Sequence, residues 1–89
     1  MNDYCKYKCT GGNVTVAGES YGSKTLTGGE YTLIATLPTN YRTSRESFNK
    51  GSALGGSAGI LARASTDGSI YVYASIDSSY WQYNITFPL

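Results

Sequence analysis

Alternation of apolar and polar residues is strongest at the C-terminal end of the chain. From Tyr80 to Leu89, Trp81, Tyr83, Ile85, Phe87 and Leu89 fall on one side, and Gln82, Asn84 and Thr86 on the other. Side chains alternate across a strand with period two, so this run predicts a strand with one dry face and one wet face. Just before it, Ile60 to Ser65 and Ile70 to Ala74 flank Thr66-Asp67-Gly68-Ser69. That arrangement predicts a hairpin closed by a two-residue type I′ turn at Asp67-Gly68. Within its second strand Ile70, Val72 and Ala74 take the core side, which leaves Tyr71 and Tyr73 on the opposite face as a flat aromatic patch.

Other elements follow the same logic. Glu30 to Leu37 predicts a strand with Tyr31, Leu33, Ala35 and Leu37 on one face and Thr32, Ile34 and Thr36 on the other. Pro38, with no N–H to give a ladder, ends it. Tyr4 to Cys9 alternates, with Cys5, Tyr7 and Cys9 opposite Lys6 and Lys8, and Gly11-Gly12 breaks the run. Val14 to Ala17 predicts a short strand, and Gly18 to Gly29 a turn-rich stretch. Thr39 to Arg45 is a polar loop, Glu46 to Lys50 a strand around Phe48 or an irregular crossing, and Gly51 to Gly59 a glycine-rich loop or bent edge. No helical period stands out. Short strands with glycine-rich turns predict an all-β fold, a small antiparallel β-sandwich or jelly-roll-like barrel. Residues 1–89 form one domain, with the core in 29–89 and additional strands in 1–28.

Composition sharpens the picture at one point. Leu, Ile, Val and Phe number only sixteen of 89 residues, whereas Tyr alone numbers nine. A small domain buries only about 60–65% of its unfolded surface. So thin an aliphatic supply points to a core completed by self-association, with tyrosines at interfaces or ligand platforms. The formal net charge is +1, and the seven Lys and Arg residues are scattered. No concentrated basic face is available for nucleic acid. No apolar run is long enough to span a bilayer, and the N-terminus shows no signal-peptide pattern.

The absence of His removes Ser-His-Asp and Cys-His nucleophile pairs and the usual zinc sets. The carboxylates are Asp3, Glu19, Glu30, Glu46, Asp67 and Asp77; none forms an evident acid pair of the kind glycoside hydrolysis needs. The expectation is a domain that is not an enzyme and holds no metal or cofactor. Cys5 and Cys9, on an extended strand, would lie about 13 Å apart at roughly 3.3 Å per residue, too far for an intrachain disulfide. The triplets Asn13-Val14-Thr15 and Asn84-Ile85-Thr86 read as strand residues. Trp81, in phase with Phe87, belongs to the core or a subunit interface, and Tyr80, out of phase, to the surface.

The run Gly29-Glu30-Tyr31-Thr32-Leu33-Ile34-Ala35-Thr36-Leu37-Pro38-Thr39-Asn40-Tyr41-Arg42, followed by Thr66-Asp67-Gly68-Ser69-Ile70-Tyr71-Val72 and a C-terminal aromatic strand, resembles the terminal receptor-binding domain of phage tail-fibre and baseplate proteins. Relatives of that kind carry Leu-Pro-x-Gly-Tyr-Arg-Pro, then x-Asp-Gly-x-Val-x-Val, then a last strand. Here Asn40 stands where Gly is common and Thr43 where Pro is common. The resemblance covers residues 29–89 and implies a homotrimeric tip on a virion that binds host cell-wall polysaccharide or teichoic acid. The loops offer Tyr41, Arg42 and Arg45 with Asp77 and Tyr80 as a binding site, possible across a subunit boundary. Tyr71, Tyr73 and Trp81 offer an interface or an alternative aromatic platform. The rival expectations are a structural trimerisation or capping domain without a ligand, and a monomeric carbohydrate-binding module.

Overall fold

The computed structural model describes residues 4–89; Met1, Asn2 and Asp3 lie outside the described residues. Among the described residues eight strands form: β1 (Lys6–Thr10), β2 (Asn13–Leu26), β3 (Glu30–Thr36), β4 (Ser47–Lys50), β5 (Ser52–Ala53), β6 (Ile60–Ala64), β7 (Ser69–Ala74) and β8 (Ser78–Pro88), with one 3₁₀ turn at Thr39–Tyr41. They build two four-stranded sheets in the orders β1-β2-β8-β5 and β3-β7-β6-β4. Every pairing between strands is antiparallel. The two sheets pack face to face as a small β-sandwich, and none of the described helical segments is long and apolar enough to cross a membrane.

The last strand behaves as its alternation dictates. Trp81, Tyr83, Ile85 and Phe87 are buried, facing a second layer of Ile60, Ala62, Ala64, Ile70, Val72 and Ala74. Large rings on one sheet thus meet mostly small side chains on the other, which lets the layers interdigitate at high density. Leu89, expected in phase with them, is half exposed, because the strand ends at Pro88.

Strand β2 is far longer than the short Val14–Ala17 strand expected. It pairs with β8 from Asn13 opposite Pro88 to Tyr21 opposite Tyr80, then resumes at Leu26 opposite Ser78 after a bulge. Gly22 takes φ +98° there, a conformation few other residues accept. The bulge is held from inside. Ser20 Oγ, buried, accepts from Lys24 N (3.0 Å) and donates to Ser79 O (2.8 Å), while the Trp81 indole Nε1 donates to Lys24 O (3.0 Å). Leu26 can then re-enter the core.

The expected face of β3 is also revised. Leu33 pairs with Tyr71 but Ala35 with Ile70, so a bulge at Ile34 shifts the period. Tyr31 and Leu33 therefore face solvent, whereas Leu37 turns inward and is buried. Phe48 confirms a strand at β4 but points outward.

Two glycine turns exchange the roles expected of them. Gly11 and Gly12, both at positive φ, join Thr10 to its partner Asn13 as the two-residue hairpin turn. The Asp67-Gly68 turn is instead three residues long. Gly68 N donates to Ser65 O (3.0 Å) and Ser65 N to Ser69 O (2.9 Å), with Gly68 alone at positive φ, +90°. Asp67 keeps negative φ because its Oδ1 accepts from Ser69 N (2.9 Å), a bond that favours an ordinary type I bend.

Gly68 is constrained twice, by its φ and by space. An added Cβ would lie 2.7 Å from Arg42 Nε and 2.8 Å from Leu37 O. Gly68→Val is expected to destabilise the domain by about 2–3 kcal/mol, combining positive-φ strain with crowding against backbone; an unchanged urea midpoint would contradict this. The Ser69 amide also holds the Asp67 carboxyl below its ordinary pKa. A carboxyl depressed in the folded state adds stability above its unfolded value, and that stability fades as pH falls through the folded value. Thermal melts below about pH 4 should therefore lose less stability in Asp67→Ala than in the parent chain.

Candidate functional site

The five loop residues expected to meet do not come together within the chain. Tyr41, on the 3₁₀ turn, packs its ring against Tyr7 of β1 at 5.2 Å between centroids. Arg42 Nε donates to Leu37 O (3.3 Å) beside the Gly68 turn. Arg45 is exposed, and its carbonyl accepts from Thr43 Oγ1 (2.5 Å), so the buried Thr43 organises the loop where the family pattern has proline. Asn40 keeps negative φ, without the left-handed conformation that Gly at that position would suggest. All of this lies at the Ser69 end of β7.

Asp77 lies beyond the other end of that strand, where its Oδ1 accepts from Gly28 N (2.7 Å). Tyr80 is exposed on the outer face of the other sheet, opposite Tyr21. A six-residue strand, roughly 20 Å long, separates the two groups. Trp81 is fully buried, so it serves the core and is removed as a surface platform. Its neighbour Tyr83 donates from its hydroxyl to Tyr4 O (2.6 Å), and burial raises that phenol well above its ordinary pKa.

The feature that survives is the outer face of sheet β3-β7-β6-β4. Strand register lines up two cross-strand rows on it. Tyr31, Tyr73, Leu61 and Lys50 form one; Leu33, Tyr71, Arg63 and Phe48 form the other. Tyr31 sits between Tyr73 (5.4 Å, tilted) and Tyr71 (6.4 Å, edge-on). The Arg63 guanidinium carbon lies 5.2 Å from the Tyr71 ring centre and 5.5 Å from that of Tyr31. Its Nη2 donates to Glu46 Oε1 at 2.5 Å, so Glu46 pairs across the sheet and not with Arg42 or Arg45 in its own loop.

Physical chemistry gives this cluster a definite character. The cation–π contacts and the ion pair are each weak at an exposed position. Their main effect is to order rings that would otherwise sample several rotamers. The result is a stiff, half-exposed surface of aromatic faces, phenolic hydroxyls and a fixed guanidinium–carboxylate pair. Periodicity locates Tyr71 and Tyr73 as an outward pair, groups Tyr31 with Leu33, Ala35 and Leu37 on one face, and gives no signal for Arg63. Both belong to the patch through pairing, Tyr31 with Tyr73 and Arg63 with Tyr71, 42 and 8 positions away respectively.

Among the described residues no three Cys, Asp or Glu side chains cluster as metal ligands would. Cys5 is buried and Cys9 exposed, and both are free thiols, as the strand distance requires. Burial raises the Cys5 thiol pKa. Under native conditions a thiol reagent should modify Cys9 at once and Cys5 only after denaturation; equal rates, or a mass lacking two hydrogens, would contradict this placement.

No family model matches the chain, and no curated protein is significantly similar to it in sequence. Its surfaces therefore carry the functional argument.

Proposed function

We propose that this domain is a non-catalytic binding tip of a phage tail-fibre or baseplate protein, acting as a homotrimer on host cell-surface saccharide. The observation that carries the reading is the contact of Tyr31 with both Tyr71 and Tyr73, with the Arg63 guanidinium over Tyr31 and Tyr71, on an exposed sheet face. Pyranose rings present C–H faces that lie against aromatic rings, while hydroxyls at their edges need oriented donors and acceptors. Here Tyr hydroxyls and the Arg63–Glu46 pair supply those groups beside the rings.

Area favours a small ligand over a stable pairwise protein interface at this patch. Four strands about 4.8 Å apart, crossed by two side-chain rows, span on the order of 300 Å². A standard protein interface takes about 800 Å² from each partner. Single-site affinity on so open a surface is weak, and three copies per tip multiply it through effective concentration.

Leu33 and Phe48, each more than half exposed and without a polar atom in the side chain, favour a second reading. They flank the tyrosine cluster and suit coverage by another copy, as in a structural trimerisation domain.

A binding assay separates these readings, and light scattering tests the trimer that both assume. Tyr71→Ala and Tyr73→Ala should each lower glycan or host-cell binding by roughly three- to tenfold while leaving the melting temperature within a few degrees. Arg42→Ala and Tyr80→Ala, at the two separated ends, should bind as the parent does. Light scattering should give three times the 9.5 kDa chain mass. A concentration-independent monomer would remove the trimer, and undiminished binding in both tyrosine variants would remove the platform.

A further inference from the structure

Within the aromatic face, Arg63 and Glu46 set a charged donor directly beside a charged acceptor, Nη2 to Oε1 at 2.5 Å. Strand register stands Arg63 between Tyr71 on β7 and Phe48 on β4, and Glu46 immediately precedes β4. The two side chains are 30% and 47% exposed, so a ligand lying on the face can reach both.

Their contact uses only part of what each can bond. A guanidinium carries N–H donors on all three nitrogens, and each carboxylate oxygen has two lone pairs to offer. Arg63 Nε is buried without a hydrogen-bond partner, and Nη2 gives one N–H to Glu46. Among the described residues Arg63 donates no other hydrogen bond and Glu46 accepts no other, so N–H groups at Nη1 and Nη2 and the lone pairs at Oε2 remain for a ligand. These free groups keep their direction. The guanidinium carbon is seated 5.2 Å from the Tyr71 ring centre and 5.5 Å from that of Tyr31, which restricts the Arg63 rotamers and, through the ion pair, those of Glu46.

A fixed donor beside a fixed acceptor matches a group that accepts at one atom and donates at the next. A vicinal diol is such a group. One hydroxyl oxygen accepts from the guanidinium while its neighbour donates to the carboxylate, the two oxygens lying about one hydrogen-bond length apart. A ligand carboxylate or phosphate satisfies the Arg63 half alone and sets its charge beside Glu46, where like charges repel. A lone hydroxyl engages one half and leaves the other to water.

We propose that the Arg63–Glu46 pair is the specificity-determining element of this face and reads a vicinal diol on an uncharged sugar ring that rests on the neighbouring aromatic rings. The inference rests on the saccharide-binding reading above and adds the hydroxyl pattern that the face selects. A ring without adjacent free hydroxyls would still lie on the tyrosines but would lose the paired contact.

The test is affinity electrophoresis of the full chain through gels containing dextran, galactomannan or laminarin. Dextran and galactomannan rings keep adjacent free hydroxyls. Backbone rings of laminarin do not, because the linkage takes the hydroxyl between the other two. Glu46→Gln, Arg63→Lys and Tyr71→Ala are compared with the parent, each checked for intact folding by its melting temperature. The parent should be retarded more by dextran or galactomannan than by laminarin. Glu46→Gln and Arg63→Lys should each weaken that retardation roughly fivefold, as loss of one charge-assisted contact at an exposed site implies, and leave laminarin unchanged. In parallel, methyl mannoside should shift the Arg63 guanidinium resonances of the parent, and its isopropylidene acetal, which masks the cis diol, should shift them much less. Equal retardation of the parent by all three polysaccharides, or a loss in Glu46→Gln that includes laminarin in the same proportion, overturns the diol reading; if Tyr71→Ala then lowers retardation by all three, the platform stands without it. A diol preference that depends on Glu46 and that Tyr71→Ala leaves intact keeps this proposal and removes the tyrosine platform. No retardation by any of the three, with Arg63 resonances unmoved by the mannoside, removes both.

Discussion

The ladder between β2 and β8 is the constraint on which the rest of this fold depends. It joins residues near the start of the chain to its last strand, through nine consecutive pairs from Asn13–Pro88 to Tyr21–Tyr80. Val14 and Val16 from one strand, and Trp81, Tyr83, Ile85 and Phe87 from the other, all turn inward from that single ladder. In a chain so short of aliphatic residues, most of the bulky core volume on one sheet comes from these six side chains. Truncating a buried ring of this kind costs about 3–5 kcal/mol, a large share of the 5–15 kcal/mol that holds a typical domain together. Closing it brings together residues 59 to 75 positions apart, so the pairing is non-local and its formation is slow relative to the local hairpins.

What could be read in the sequence follows from how local each determinant is. The alternation in β8 and the hairpin between β6 and β7 involve neighbours in the chain, so periodicity and turn residues disclosed them. The Gly18–Gly29 segment misled because its strand character comes from elsewhere. Ser20, Lys24 and Trp81 hold its bulge through bonds to residues 57 to 59 positions away. In β3 a one-residue bulge at Ile34 was enough to exchange inward and outward faces, since side-chain direction has a period of exactly two residues. Tyr31 and Leu33 therefore stand on the outer face while Leu37, expected on their side, is buried.

The same register logic explains the candidate site. Tyr71 and Tyr73 were legible as an outward pair because buried residues flank them within their own strand. Tyr31 and Arg63 joined them only once β3 and β6 were placed on either side of β7. The loop constellation is not assembled within one chain, for the opposite reason. Tyr41, Arg42, Arg45, Asp77 and Tyr80 were grouped by chemistry, yet β7 holds its flanking loops at opposite ends of the sandwich. Grouping by residue type works on a strand face, where pairing sets neighbours, and fails for loops whose position depends on topology.

A recognition surface on a sheet differs physically from one on loops. Loops adapt, and they lose conformational entropy when they bind. Here the rings rest on strands whose inner faces are packed, and Arg63 is held by Glu46 below and two rings beside it. Little freedom remains to be lost on binding, so a shallow patch can hold a ligand that makes few contacts. On the proposed saccharide reading the cost is adaptability, since a rigid row set by strand spacing of about 4.8 Å accepts only chains whose repeating faces match that surface.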